Sequence, residues 1–298
     1  MGYRPVPPRT VTVNVAKGDG LVIRNGWLDE LRRAHVIEPI RNDARNTGVY
    51  DTLLGHEKKW IFFNAIGGGQ ANFDEPIRDL QPRDRAMLYA WFNQDGHVVE
   101  LSHAFEQLLT NPASLEGATV VDVGCGPFTA GLSLANVGGN GVVFRYFGID
   151  IAQSMRDFGS ELAAAARAAE AFHPNTHVSF ETSLDDIDFG QPRAGWTIVI
   201  LSYLLASDTL DVASVVNQIV RACDRIGLGP VGLLYTNTAR EDARRKYPEL
   251  KERLLAAGFE LKIEDLETLA EGGKTRHIHY ALFTRERPSA LPFERFTT

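Results

Sequence analysis

The chain changes rhythm near residue 115. Downstream, short apolar runs recur at 118–123 (ATVVDV), 143–149 (VFRYFGI), 178–181 (VSFE), 197–203 (TIVILSY) and 230–235 (PVGLLY), with helix-length stretches between them. Strands that are apolar at nearly every position are buried on both faces, and their alternation with helices predicts an α/β protein with an open, mostly parallel sheet covered by helices. The segments FELKIEDLE (259–267) and HIHYALFTR (277–285) follow one another across a glycine-rich turn and predict a terminal antiparallel pair.

Upstream the pattern is looser. Val11, Val13 and Val15 alternate, Gly18-Asp19-Gly20 supplies turn chemistry and Leu21-Val22-Ile23 resumes an extended pattern, which predicts a hairpin over 10–24. Residues 27–36 (WLDELRRAHV) read as a short helix, whereas 41–80 is poor in periodicity, has Gly67-Gly68-Gly69 as a loop marker and receives no role. From Pro82 the apolar positions Met87, Leu88, Trp91 and Phe92, then Val98, Val99, Leu101, Phe105, Leu108 and Leu109, predict two helices separated near Asp95-Gly96. The expected division is an α+β extension over 1–114, acting as lid and substrate-recognition element, and a ligand-binding sheet domain over 115–298.

Composition narrows the function. A chain of 298 residues can bury a full core, and no stretch approaches the roughly 20 apolar residues that span a bilayer. The N-terminus lacks an apolar signal core and the two cysteines, Cys125 and Cys223, cannot build a disulfide framework, so a cytoplasmic protein is expected. A net charge of −7 argues against broad capture of a phosphate backbone, and the most basic cluster, Arg240, Arg244, Arg245 and Lys246, is diluted by Glu241 and Asp242. Nucleic acid is therefore a disfavoured partner and a membrane an unexpected one.

The chemistry concentrates at Val120-Val121-Asp122-Val123-Gly124-Cys125-Gly126-Pro127-Phe128-Thr129-Ala130-Gly131, a buried strand running into a glycine bend and then a helix. Ligands of open parallel sheets bind beyond the carboxyl ends of the strands, and a bend without side chains lets the backbone approach them closely. A dinucleotide fingerprint wants a third glycine where Thr129 stands, and it wants no carboxylate at Asp122. Tyr146-Phe147-Gly148-Ile149-Asp150 ends the next strand in a carboxylate, which can accept both hydroxyls of a ribose or cap the following helix.

The segment VDVGCGPFTAG resembles the first motif of class I S-adenosylmethionine-dependent methyltransferases, and the resemblance extends over roughly 115–285. It implies a Rossmann-like methyltransferase fold, with S-adenosylmethionine (SAM) as cofactor and S-adenosylhomocysteine (SAH) as product. By the same resemblance Asp122, Gly124, Cys125, Gly126 and Thr129 would line the methionine and ribose part, with Asp150 and Ile151 at the second strand tip. Ser183, or Asp185 in its place, would stand beside the adenine, with a solvated turn as the alternative. Ser202 and Tyr203 would lie where methyl group and acceptor meet, and core packing is the alternative for Tyr203.

Missing motifs narrow the acceptor. The fourth strand ends in SYLL rather than the Asn or Asp, Pro, Pro and aromatic of amino-methylating nucleic-acid enzymes, and neither cysteine is placed as a carbon-methylating nucleophile. Gly273-Lys274-Thr275 lacks the upstream glycine of a phosphate loop, where Thr268 stands, and no His or Cys cluster has metal spacing. The expected reaction is methyl transfer to oxygen or nitrogen of a small molecule. A protein or RNA acceptor, and a binding protein that keeps the fold without turnover, are the alternatives; a homodimer is compatible with the sequence. His103, in the helix before the first strand, and His279, sharing a strand face with His277, are the candidate general bases, with a structural or solvated role as the alternative for each. Tyr89 and Trp91 would pack over the pocket or in the core.

Overall fold

The computed structural model describes residues 25–46, 48, 51–108, 115–271 and 274–286, so the hairpin expected over 10–24 lies outside the described residues. Seven strands form one sheet: β1 Thr119–Val123, β2 Arg145–Ile149, β3 His177–Glu181, β4 Thr197–Ser202, β5 Val231–Thr238, β6 Glu260–Glu271 and β7 Lys274–Arg285. Their spatial order is β3-β2-β1-β4-β5-β7-β6. Strands β1 to β5 pair in parallel, β7 is antiparallel to β5, and β6 is antiparallel to β7. The chain thus builds outward from β1 to β3 and returns to lay β4 on the other side of β1. That reversal makes the β1/β4 boundary a topological switch point, where strand tips splay apart and leave a crevice. The expected mostly parallel, Rossmann-like sheet with a terminal antiparallel pair is what the chain forms.

The helices of seven or more residues are α1 Gly26–Arg32, α2 Pro82–Tyr89, α3 Asp95–Leu108, α4 Thr129–Gly138, α5 Gln153–Ala168, α6 Val212–Ile226 and α7 Tyr247–Ala256. Strand parity sorts the core into two layers. Val120, Tyr146, Ile198, Ile200 and Leu234 pack with residues of α1 to α5 on one face, while Val121, Phe147, Val199, Leu201, Leu233 and Tyr235 pack with α6 and α7 on the other. Leu28 and Leu31 of α1 and Met87 and Leu88 of α2 belong to the first cluster, so the segments before β1 share a core with the sheet.

The break expected near Asp95-Gly96 is absent. Helices α2 and α3 are joined by a π turn over Ala90–Gln94, with helical backbone on both sides. Pro82 opens α2 at a position where its missing N–H costs nothing, and the Gln81 N–H donates to Asp84 Oδ2 at 3.0 Å. Gly96 misleads because glycine normally weakens a helix by roughly 1 kcal/mol. Here a β-carbon would stand 2.0 Å from Nη1 of Arg276, so the bare backbone makes room for a guanidinium from β7. The 41–80 region also acquires a place: Asp74 accepts the Gln153 and Ser154 N–H groups, both at 2.8 Å, at the start of α5.

Candidate functional site

At the switch point the β1 strand runs into the glycine bend. Gly124 and Gly126 adopt φ of 75° and 52°, conformations glycine reaches without strain, and the Gly124 and Cys125 N–H groups both donate to Ile149 O of β2, at 2.7 and 2.9 Å. The bend is thereby sewn to its neighbour. Phe128 also has a left-handed backbone, φ 64°, and its buried ring packs edge-on against Tyr146 and Phe180. The ring lies over Gly131, where a β-carbon would come within 1.9 Å of it. An aromatic side chain thus pins the bend into the first core layer.

A small hollow opens beyond the β1 tip, lined by Tyr89, His97, Leu101, Asp122, Gly124, Cys125, Thr129, Ala130 and Ser202. Five of the residues expected in the site therefore stand together: Asp122, Gly124, Cys125, Thr129 and Ser202. The Asp122 carboxyl is buried and accepts the Tyr146 hydroxyl; burial pushes it up to about 7, the hydrogen bond holding it back. Cys125 is buried and its thiol is pushed well up, by burial first and then by Asp150 and Asp122, which suits packing and not nucleophilic attack. Thr129 opens α4, and its buried Oγ1 has no hydrogen-bond partner among the described residues. The Ser202 hydroxyl accepts from Thr236 Oγ1 at 2.9 Å.

Asp150 stands at the neighbouring β2 tip and faces the same bend. Its Oδ2 accepts the Gly126 N–H at 3.0 Å and its Oδ1 accepts the Ala152 N–H at 2.9 Å. Burial raises its pKa, and these two N–H groups and Arg156 oppose the rise. Each carboxylate oxygen has two lone pairs, so one on each oxygen is left for a ligand while the backbone fixes the orientation. Ile151, next in sequence, is 86% exposed beside it. Ser183 caps a short 3-10 turn, its Oγ accepting the Asp185 N–H at 3.1 Å, and the Asp185 carboxylate pairs with Arg221.

Neither candidate base lines the hollow. His103 points from α3 to β6, where its Nε2 lies 2.5 Å from Glu267 Oε2, and Glu267 also accepts the Tyr280 hydroxyl at 2.9 Å. His279 is 2% exposed, so its strand position is not solvated; it packs against Tyr235 and Tyr247 in the α6/α7 layer, with Glu264 at 3.6 Å. Burial, partly offset by Glu264, brings its pKa down to about 4.

Four neighbours escaped sequence reasoning: His97, Glu100, Leu101 and Arg276. The π turn is what aims the first. In an unbroken α-helix Tyr89 and His97 would diverge by roughly 80°, but one residue taken up by the wide turn brings them to within about 20° of the same face. Tyr89 covers Gly126 and meets Phe73 edge-on at 5.7 Å, while His97 stacks on Tyr203 with ring centres 3.8 Å apart. Tyr203 donates its hydroxyl to Glu100 Oε2 at 2.6 Å, and Arg276 lies 3.9 Å from Glu100 Oε1. A polar His and Glu at helical spacing beside Gly96 were the available signal.

Among the described residues no group of three or more His, Cys, Asp or Glu side chains is arranged to hold a metal ion, and no helix is long and apolar enough to cross a membrane. No protein-family model matches the chain. No curated protein matches it either. Solved structures do. A SAM-dependent methyltransferase from Methanosarcina mazei is similar at 15% identity, covering 58% of this chain and 94% of its own, with a TM-score of 0.41. Magnesium protoporphyrin IX methyltransferase from Synechocystis PCC 6803, with bound SAH, is 15% identical over 76% of this chain and 97% of its own, at a TM-score of 0.42. Geranyl diphosphate C-methyltransferase from Streptomyces coelicolor A3(2), also holding SAH, is 14% identical over 64% of this chain and 80% of its own, at 0.40.

Proposed function

We propose that the chain is a SAM-dependent methyltransferase that transfers a methyl group to oxygen or nitrogen of a small-molecule acceptor, and that it works in the cytoplasm. The observation that carries this reading is the Asp150 carboxylate, fixed by two backbone N–H groups at a strand tip beside a glycine bend, at the switch point of an open parallel sheet. That arrangement suits a diol, and the diol of a nucleoside is the one that parallel-sheet crevices commonly take.

The residues fit the adenosyl sulfonium. Thr129 offers a buried hydroxyl without a partner among the described residues, and α4 opens at the hollow with Thr129 and Ala130, where the positive end of its dipole suits a carboxylate. Gly124 and Gly126 keep the floor low, Asp122 and Ser202 supply polar groups at the inner end, and exposed Ile151 supports a flat base above Asp150. When bound, the cofactor supplies a methyl group already activated for displacement. The protein's task is then to aim an acceptor lone pair along that bond, and orientation can contribute roughly 7 to 11 kcal/mol. Tyr89, His97 and Leu101 wall the hollow with apolar and aromatic surface, which favours a small acceptor over a polymer.

Calorimetric titration with SAM and SAH, with NADH as the comparison, tests the reading. Saturable binding of SAM and SAH with no NADH signal is expected; NADH binding alone would replace the methyltransferase reading with a dinucleotide one.

A further inference from the structure

Tyr203 carries more constraint than a packing residue needs. Its backbone is left-handed, φ 58° and ψ 2°, a conformation that costs a bulky side chain about 1 kcal/mol or more and persists only where the surroundings enforce it. Three contacts enforce it here. The Tyr203 N–H donates to Thr236 O of β5 at 2.9 Å, the ring stacks on His97, and the hydroxyl donates to Glu100. The residue before it, Ser202, lines the hollow.

Glu100 is 3% exposed and lies on α3, one helical turn from His97. It is faced by Tyr203 from the β4 tip and by Arg276 from β7. Burial drives its carboxyl to about 7, with Tyr203 and Arg276 holding it from rising further. His97, the other titratable group on that helix face, is driven down to about 3 by burial and by Arg276, which leaves it a neutral aromatic wall. Tyr89, beyond His97, is pushed up by burial and stays a phenol. Glu100, hydrogen-bonded to Tyr203, can therefore take a proton near neutrality, as can Asp122 of β1 in the same hollow; Glu100 is the one joined to the β4 tip.

Resting on the methyltransferase reading, we propose that Tyr203 is a catalytic residue that receives the acceptor's proton, that Glu100 is its positioning partner and final proton holder, and that the acceptor is a ring hydroxyl of the phenol class. The acceptor's O–H bond breaks as its oxygen bonds to the methyl carbon, whose bond to sulfur leaves its electron pair on sulfur. The released proton passes to the Tyr203 oxygen while the Tyr203 proton passes to Glu100. The aromatic surfaces of Tyr89 and His97 in the hollow suit a flat ring, and an acidic hydroxyl matches a base poised near the working pH.

The test uses the full chain saturated with SAH and 4-nitrophenol as the probe, whose ionised form is coloured. Bound probe is expected to ionise below its midpoint in free solution. Tyr203→Phe and, separately, Glu100→Gln should each move the bound midpoint up by about one pH unit, a tenfold change in ionisation, with SAH affinity retained. A purely structural pair would leave the colour of bound probe unaltered. Wild-type protein that binds SAH but neither binds nor ionises the phenol overturns this proposal alone, as do folded variants that ionise it like wild type. Failure of wild type to bind SAH removes the methyltransferase reading itself.

Discussion

The Gly126 N–H donates to Asp150 Oδ2 at 3.0 Å, so the bend after β1 and the tip of β2 form one hydrogen-bonded unit. Asp150→Ala removes the carboxylate proposed to grip the ribose and also frees the bend. SAH affinity should fall by about 2 to 4 kcal/mol, of the order expected for lost charge-assisted hydrogen bonding. Calorimetry on a variant whose circular dichroism matches wild type checks this; undiminished affinity would take Asp150 out of the site.

Phe128 and Gly131 should be coupled. A β-carbon at Gly131 would meet the Phe128 ring at 1.9 Å, so Gly131→Ala should destabilise the chain by about 1 to 3 kcal/mol through overpacking. Adding Phe128→Leu should recover part of the loss, because the smaller side chain vacates the contested space. Urea unfolding of both single variants and the double variant gives the coupling energy, and simple additivity would show that the ring does not occupy that space.

His103 should behave as a structural residue. Replacing it with Leu leaves the buried Glu267 carboxylate short of a partner, which costs about 1 to 3 kcal/mol, while SAH binding stays as in wild type. Thermal melts and calorimetry on the same preparation separate the two effects. Weakened SAH binding at full stability would restore His103 to the ligand site.

Asp122 sets a pH dependence of stability. Its carboxyl sits at about 7 in the fold against an ordinary 3.8, so the fold favours the protonated form. The stability this contributes is complete below about pH 4 and is lost as pH rises through about 7. Asp122→Asn mimics the protonated form at every pH. Its melting temperature relative to wild type should therefore climb between pH 5 and pH 8, the opposing contributions of His97 and His279 cancelling in the comparison. A flat difference would mean that Asp122 is ionised in the fold throughout.

The residues legible in the sequence are those whose role is local. Asp122, Gly124, Thr129 and Asp150 lie on two strand tips and a bend, and five apolar runs announced the parallel strands that bring the tips together. Strand parity also allowed His279 and His277 to share a face, but not which of them would be covered, because the covering came from Tyr247 on a helix distant in sequence. The helix before β1 was harder to read. Gly96 looked like a terminator until Arg276, 180 positions downstream, supplied the reason for its missing side chain. Glu100 is a polar position between apolar ones in the sequence; its burial depends on β4 and β7, which no local pattern encodes. A wide turn is equally silent, since no residue type in Ala90–Gln94 marks it as one.

The wide turn over Ala90–Gln94 works like a one-tooth offset between two gears. Everything N-terminal to it, including Tyr89, is indexed to the glycine bend, and everything C-terminal to it, including His97 and Glu100, is indexed to the β4 and β7 tips. Rewinding that turn to ordinary pitch with every residue kept would rotate one half against the other by about a quarter turn. The two walls of the hollow would then lose their common facing direction although no side chain in either wall had been altered.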